Sequence, residues 1–111
     1  CVIGVESDPH KIKKAKHNAT VYNVENAIEF INADFFQMRR LRADVVFLAP
    51  STLSADQTDR SSVLSQFNPS LPALIRHSLK IARSLCIQLP PCVNIEELAT
   101  IFHDIYNENP Q

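Results

Sequence analysis

Four short stretches, residues 1–5 (CVIGV), 27–32 (AIEFIN), 44–49 (DVVFLA) and 85–89 (LCIQL), are apolar almost from end to end. A strand with one wet face alternates apolar and polar side chains; a strand covered on both faces does not. These runs therefore predict strands of a parallel sheet. Parallel neighbours cannot be joined by a tight turn and need a crossover of a dozen or more residues, usually a helix. The segments between the runs have that character.

Asp8 followed by Pro9 predicts a helix start, with a side-chain acceptor at the N-cap and a ring suited to the first turn. The helix is expected to reach about Tyr22, with Ile12, Ala15, Ala19 and Tyr22 on one face and Lys11, Lys13, Lys14 and Lys16 around the rest. Asn23 suits a left-handed stop. After the second strand, Ala33-Asp34-Phe35-Phe36 leads into a short helical turn at 37–41. Residues 50–68 read as a long loop with one turn of helix near 63–67. A helix over 71–83 opens with Pro72 and offers Leu74, Ile75, Ile81 and Ala82 to the core. Pro90 and Pro91 close the fourth strand. Asn94, with Glu97 three residues on, makes a capping box for a helix to about Tyr106, and 107–111 fray. The order β-α-β-(α)-β-α-β-α predicts an α/β fold with one parallel sheet and right-handed crossovers.

Composition narrows the function. A length of 111 residues allows one domain. Eleven Lys and Arg against twelve Asp and Glu give a net charge of −1, which excludes a strongly basic nucleic-acid sink and leaves only local patches. No apolar run approaches the ~18 residues that would span a bilayer. Three cysteines spread from Cys1 to Cys92 do not make a disulfide framework. The chain has a single glycine, Gly4, where average usage near 7% would give about eight. Walker loops and G-x-G-x-x-G turns are thereby excluded within it. Because the first residue, Cys1, already lies in an apolar strand, the chain is expected to be a fragment that has lost its beginning.

In open sheets of this type, ligands bind beyond the carboxyl ends of the strands. Those ends are Glu6-Ser7-Asp8, Asn32-Ala33-Asp34 and Ala49-Pro50-Ser51-Thr52. A strand-end carboxylate such as Glu6 can accept from both hydroxyls of a ribose. Asp34 can accept from an exocyclic adenine amine, with Phe35 packed on the ring. Each also has an ordinary reading, Glu6 as a solvated charge and Asp34 as a loop or cap residue. Together they describe the nucleoside half of a nucleotide-like site. His10 and His17 read as surface residues, and the lysines around them as a solvated face with phosphate steering as the lesser alternative. Cys86 and Cys92 lack the spacing of a zinc site. No nucleophile elbow is present.

The stretch VIGVESDPHKIKKAKHNATVYNVENAIEFINADFF (residues 2–36), followed by ADVVFLAP (43–50), resembles the catalytic domain of the trimethylguanosine synthase family, the RNA cap guanosine-N2 methyltransferases. It is similar to that family's V-I-A-(I/V)-D-I-D-P strand end, N-A-x-V-Y-G helix end, I-E-F-I-x-G-D-F strand and A-D-V-V-F-L-S-P-P-W motif. The later LCIQLP and Asn94-Ile95-Glu96-Glu97-Leu98 resemble its fifth strand and the helix after it. The acid-x-D-P element is generic to S-adenosylmethionine methyltransferases; Asn18–Tyr22 and the ADVVFL-x-P run point to this family.

The resemblance implies a Rossmann-like S-adenosylmethionine-dependent methyltransferase fold, with residues 1–111 forming a partial domain that lacks the glycine-rich first strand and the last strands. Glu6 would stand at the ribose-binding position, Asp34 at the adenine-binding position, and Phe35 would line the adenine pocket. Ala49, Pro50 and Thr52 would stand at the cap-binding motif, where Thr52 replaces a tryptophan that stacks on 7-methylguanine. An indole gains from stacking and cation–π attraction to that cationic purine, and a threonine does not. The implied reaction is methyl transfer to N2 of the 7-methylguanosine cap of small nuclear and nucleolar RNAs, in the nucleus with the cytoplasm as a second compartment. No catalytic base, metal or membrane is implied. The isolated chain is expected to be inactive. Two alternatives stand beside this: a degenerate methyltransferase fold acting as an RNA- or protein-binding module, and a methyltransferase for another amine.

Overall fold

The computed structural model describes residues 1–50, 64, 67 and 69–108. It divides into two compact units, Cys1–Arg39 and Arg40–Gln111.

In the first unit, β1 (Val2–Glu6) and β2 (Ile28–Asn32) pair in parallel, with Val2 opposite Ile28 and Glu6 opposite Asn32. Helix α1 (Pro9–Val21) makes the crossover and packs on both strands, burying Ile12 and Ala19. Its start is fixed as the sequence predicts: the Asp8 carboxylate accepts from the His10 amide at 2.9 Å. Its end is a Schellman motif. The Asn23 amide donates to the Thr20 carbonyl and the Val24 amide to that of Ala19, with Asn23 in the left-handed region at φ 58°. Tyr22 departs from expectation. As C-cap residue it lies past the last turn that covers the sheet, and it is 77% exposed. The helical turn expected at 37–41 forms earlier, as a 3-10 turn over Phe35–Gln37, because the Asp34 carboxylate caps it by accepting from the Phe36 amide at 3.0 Å.

In the second unit, β3 (Val45–Leu48) and β4 (Ser84–Ile87) pair in parallel, with Val45 opposite Ser84 and Leu48 opposite Ile87. Helix α2 (Leu71–Ile81) starts at Ser70, whose hydroxyl accepts from the Ala73 amide. It stops short of residue 83 because the segment leading into β3 takes its last carbonyls. The Ala43 amide donates to Ile81, and the Arg42 guanidinium donates to Lys80 at 2.7 Å. Helix α3 (Ile95–Glu108) opens at Asn94, whose side-chain oxygen accepts from the amides of Glu96 and Glu97. The core of this unit gathers Leu64, Phe67, Leu71, Ile75 and Ile105, with Leu85, Ile87, Leu98 and Phe102 packed around them. Buried Ser78 is satisfied by donating to the Leu74 carbonyl. The expected helical turn at 63–67 lies mostly outside the described residues.

Among the described residues the strands pair as β1 with β2 in the first unit and β3 with β4 in the second, each pair parallel as the sequence predicts. Apolarity reports that a strand is covered; it does not report which strand lies beside it. Coverage is also less complete than the apolar runs imply. Val2, Val45 and Phe47 are all more than half exposed.

Two outcomes follow from the second unit. Ile75 is fully buried, so Ile75→Ala should lower the free energy of unfolding by about 2–5 kcal/mol, read from chemical denaturation. Arg76 on α2 and Glu108 on α3 make a bidentate pair at 2.7 and 2.8 Å. Its hydrogen bonds hold the Glu108 carboxyl below its ordinary pKa. A lowered folded-state pKa adds stability above the unfolded value, and that stability is lost as pH falls through the folded value. Glu108→Gln should lower stability slightly in the neutral region, the pair being exposed, and match the parent at low pH, so that the acid limb of the stability–pH curve is flatter.

Candidate functional site

Parallel pairing puts the carboxyl ends of β1 and β2 at one edge of the first unit's sheet. Glu6 ends β1, Asn32 ends β2 directly opposite it, and Asp34 follows two residues later. Adjacent strands lie about 4.8 Å apart, so the two carboxylates belong to neighbouring chain segments.

Three hydrogen bonds bind this edge together. The Glu6 carbonyl accepts from the Ala33 amide at 3.1 Å and from the Asn32 side-chain amide at 2.9 Å. The same side-chain nitrogen donates to the Ser7 carbonyl at 3.0 Å. Asn32 therefore clamps the turn out of β1 to the end of β2. Sequence reasoning does not single it out, although an amide residue closing an otherwise apolar strand is a visible signal.

The Glu6 side chain is about one-third exposed, and its Oε1 lies 4.0 Å from the Lys11 Nζ. That separation is an ion pair without a hydrogen bond, so both carboxylate oxygens keep their acceptor capacity. Asp34 is exposed and spends one oxygen on its cap. The cap and the ligand readings of Asp34 are compatible, because an ionised carboxylate has acceptor sites for both. The cap also aims the chain so that Phe35 and Phe36, both half-buried, follow at once, their rings 6.2 Å apart and tilted by 50°. The edge can thus offer two carboxylates, two aromatic rings and a hydrogen-bonded backbone to a ligand with hydroxyl and amine donors.

Ala49 and Pro50 follow the carboxyl end of β3 in the second unit, where the Gln88 amide donates to the Leu48 carbonyl. Thr52 lies outside the described residues. Cys1 and Cys86 are exposed free thiols and Cys92 a half-buried one. Among the described residues no three His, Cys, Asp or Glu side chains come together as a metal site. An open groove of about 610 Å³ exists in the second unit, lined by Arg42, Asp44, Lys80 and Arg83. It lies at the amino ends of β3 and β4, the wrong end for a ligand of this kind of sheet.

The model of one protein family, the RNA cap guanine-N2 methyltransferases, matches residues 1–111. The chain belongs to that family. Membership makes it a methyltransferase-family chain.

Asn32→Ala should remove the clamp on the β1–β2 edge. We expect a loss of about 0.5–1.5 kcal/mol of stability, the usual worth of an intramolecular hydrogen bond, with amide exchange quickening at Ser7 and Ala33 before the rest of β1 and β2.

Proposed function

We propose that the β1–β2 edge holds the nucleoside half of S-adenosylmethionine, within a Rossmann-like methyltransferase fold, for methylation of N2 on the 7-methylguanosine cap of small nuclear and nucleolar RNAs in the nucleus. The observation that carries this reading is the placement of Glu6 and Asp34 at one carboxyl edge of a parallel pair, in a chain of the cap guanine-N2 methyltransferase family.

The donor set fits the group. Glu6 would accept from the ribose hydroxyls, Asp34 from the adenine amine, and Phe35 would pack on the purine face. The chain's one glycine, Gly4, lies inside β1, so these residues supply no glycine-rich turn for the methionine end. S-adenosylmethionine, when bound, supplies a methyl group already activated on a positively charged sulfur. The task left to protein side chains is positioning, and holding reactants in a near-attack geometry can supply much of the barrier reduction by itself. We assign no general base.

Ser51 and Thr52 stand where the resembling motif has proline and tryptophan, and this favours a second reading in which the accepted amine is not a cap. Titration with a 7-methylguanosine nucleotide decides between the two.

Adenosine is the clean probe of the half-site. Amide chemical-shift changes should centre on Glu6–Asp8 and residues 33–36. Glu6→Ala should weaken binding by about 1–3 kcal/mol, the cost of stranding hydrogen-bond donors. Asp34→Asn keeps the cap acceptor but turns an amide donor towards the adenine amine, and should weaken binding as well. Shifts elsewhere, or no effect of Glu6→Ala, would refute the site.

A further inference from the structure

Helix α1 carries His10, Lys11, Lys13, Lys14, Lys16 and His17 within eight residues, and no acidic residue lies between Pro9 and Val21. In a chain of net charge −1 this is a marked local excess. The helix buries Ile12 and Ala19 and leaves all six of these side chains exposed. At 100° per residue, His10, Lys13, Lys14 and His17 fall within an arc of roughly 100° opposite the buried face, and Lys11 and Lys16 flank it. Lys11 is partly occupied by Glu6, at 4.0 Å. Lys13, Lys14 and Lys16 form no ion pair among the described residues, and a helix face that concentrates cations in this way is the electrostatic footprint of a polyanion.

The helix begins at Asp8, two residues after Glu6, and as the crossover between two parallel strands it runs from the carboxyl edge of the sheet back towards the amino edge. The basic face thus starts beside the candidate site and leads away from it. From His10 to His17 it spans roughly 10 Å, enough to meet successive phosphates of a single strand.

We propose that the outer face of α1, centred on Lys13 and Lys14, is a track for the phosphodiester backbone of the RNA that follows the cap. The assignment rests on the cap methyltransferase reading, since a cap is by chemistry the end of a phosphate chain. The track touches phosphates and carries no base specificity, so it steers and holds RNAs of any sequence. The groove in the second unit is a weaker rival. Its Arg42 is spent on the Lys80 carbonyl, Asp44 opposes the remaining charge, and the carboxyl end of α2 faces it with its negative dipole.

The test is fluorescence anisotropy of the 111-residue protein with a labelled, uncapped single-stranded RNA of about 12 nucleotides, from roughly 50 to 200 mM salt and without cofactor. The probe has neither cap nor nucleoside ligand to offer, so its result is independent of the adenosine titration and either can fail alone. Lys13→Gln/Lys14→Gln should weaken binding roughly fivefold or more at the low-salt end. It should also make the log–log salt slope shallower by about 1.4, at ~0.7 for each phosphate of a single strand that is no longer neutralised. The charge-matched Lys80→Gln/Arg83→Gln variant should change neither quantity appreciably. Equal weakening in both variants would reduce the effect to net charge and overturn the proposal. So would an unchanged slope in the α1 variant, absence of RNA binding by the parent, or binding to vesicles rich in anionic lipid with none to RNA.

Discussion

The arrangement of the candidate site depends on β1 and β2 pointing the same way. Had they formed a hairpin, Glu6 would close one edge of the pair while Asp34 followed the opposite one, and no ligand could meet both. Parallel pairing in turn requires α1, because only a chain segment of that length returns to the starting edge. The caps at both ends of α1 therefore bear on the site at a distance. Asp8 sets where the crossover departs, and the left-handed Asn23 turns the chain back towards β2. Asn32 then ties the two strand ends together where they meet.

The units differ in how firmly they are held. In the second, a cluster of aliphatic and aromatic side chains from α2, α3 and the residues before them closes a core around fully buried Leu71 and Ile75. In the first, among the described residues, only Ile12 and Ala19 are buried. The candidate cofactor edge belongs to this thinner unit. Regions with few buried apolar groups open at low free-energy cost, and ligand-binding segments are commonly drawn from them. A nucleoside bridging Glu6 and Asp34, as proposed, would add cross-links where side-chain packing supplies few, and would couple occupancy to local order at this edge.

Much of this is legible in the amino-acid order, for identifiable reasons. Unbroken apolar runs mark all four strands to within a residue or two, since β-period and helical period leave different marks. Asp8-Pro9, Asn23 and Asn94 carry their capping roles openly, because each is a short-range choice made within four residues. What escapes is set at longer range. Which strand pairs with which depends on neighbours that no local pattern names. The early stop of α2 depends on Arg42 and Ala43 reaching its last carbonyls from nearly forty residues away. Tyr22 fits the apolar face by periodicity and misses it because the helix ends one residue sooner. Glu6 and Asp34 are visible as strand-end carboxylates. Asn32, which fixes their common edge, shows in the sequence only as an amide closing an apolar strand, because its work is done on backbone carbonyls.

The open face of β3 has a consequence of a different kind. Val45 and Phe47 point the same way on that strand, both more than half exposed, and pair across the ladder with Ser84 and exposed Cys86. Residues 45–48 are uncharged, rich in β-branched and aromatic side chains, and have a ladder partner on one side only among the described residues. Strands of this composition are ones that proteins usually keep paired or flanked by charge, since an unpaired one invites strand addition. Asp44 and Arg83, immediately before β3 and β4, are the charges that flank this uncharged stretch at its amino end.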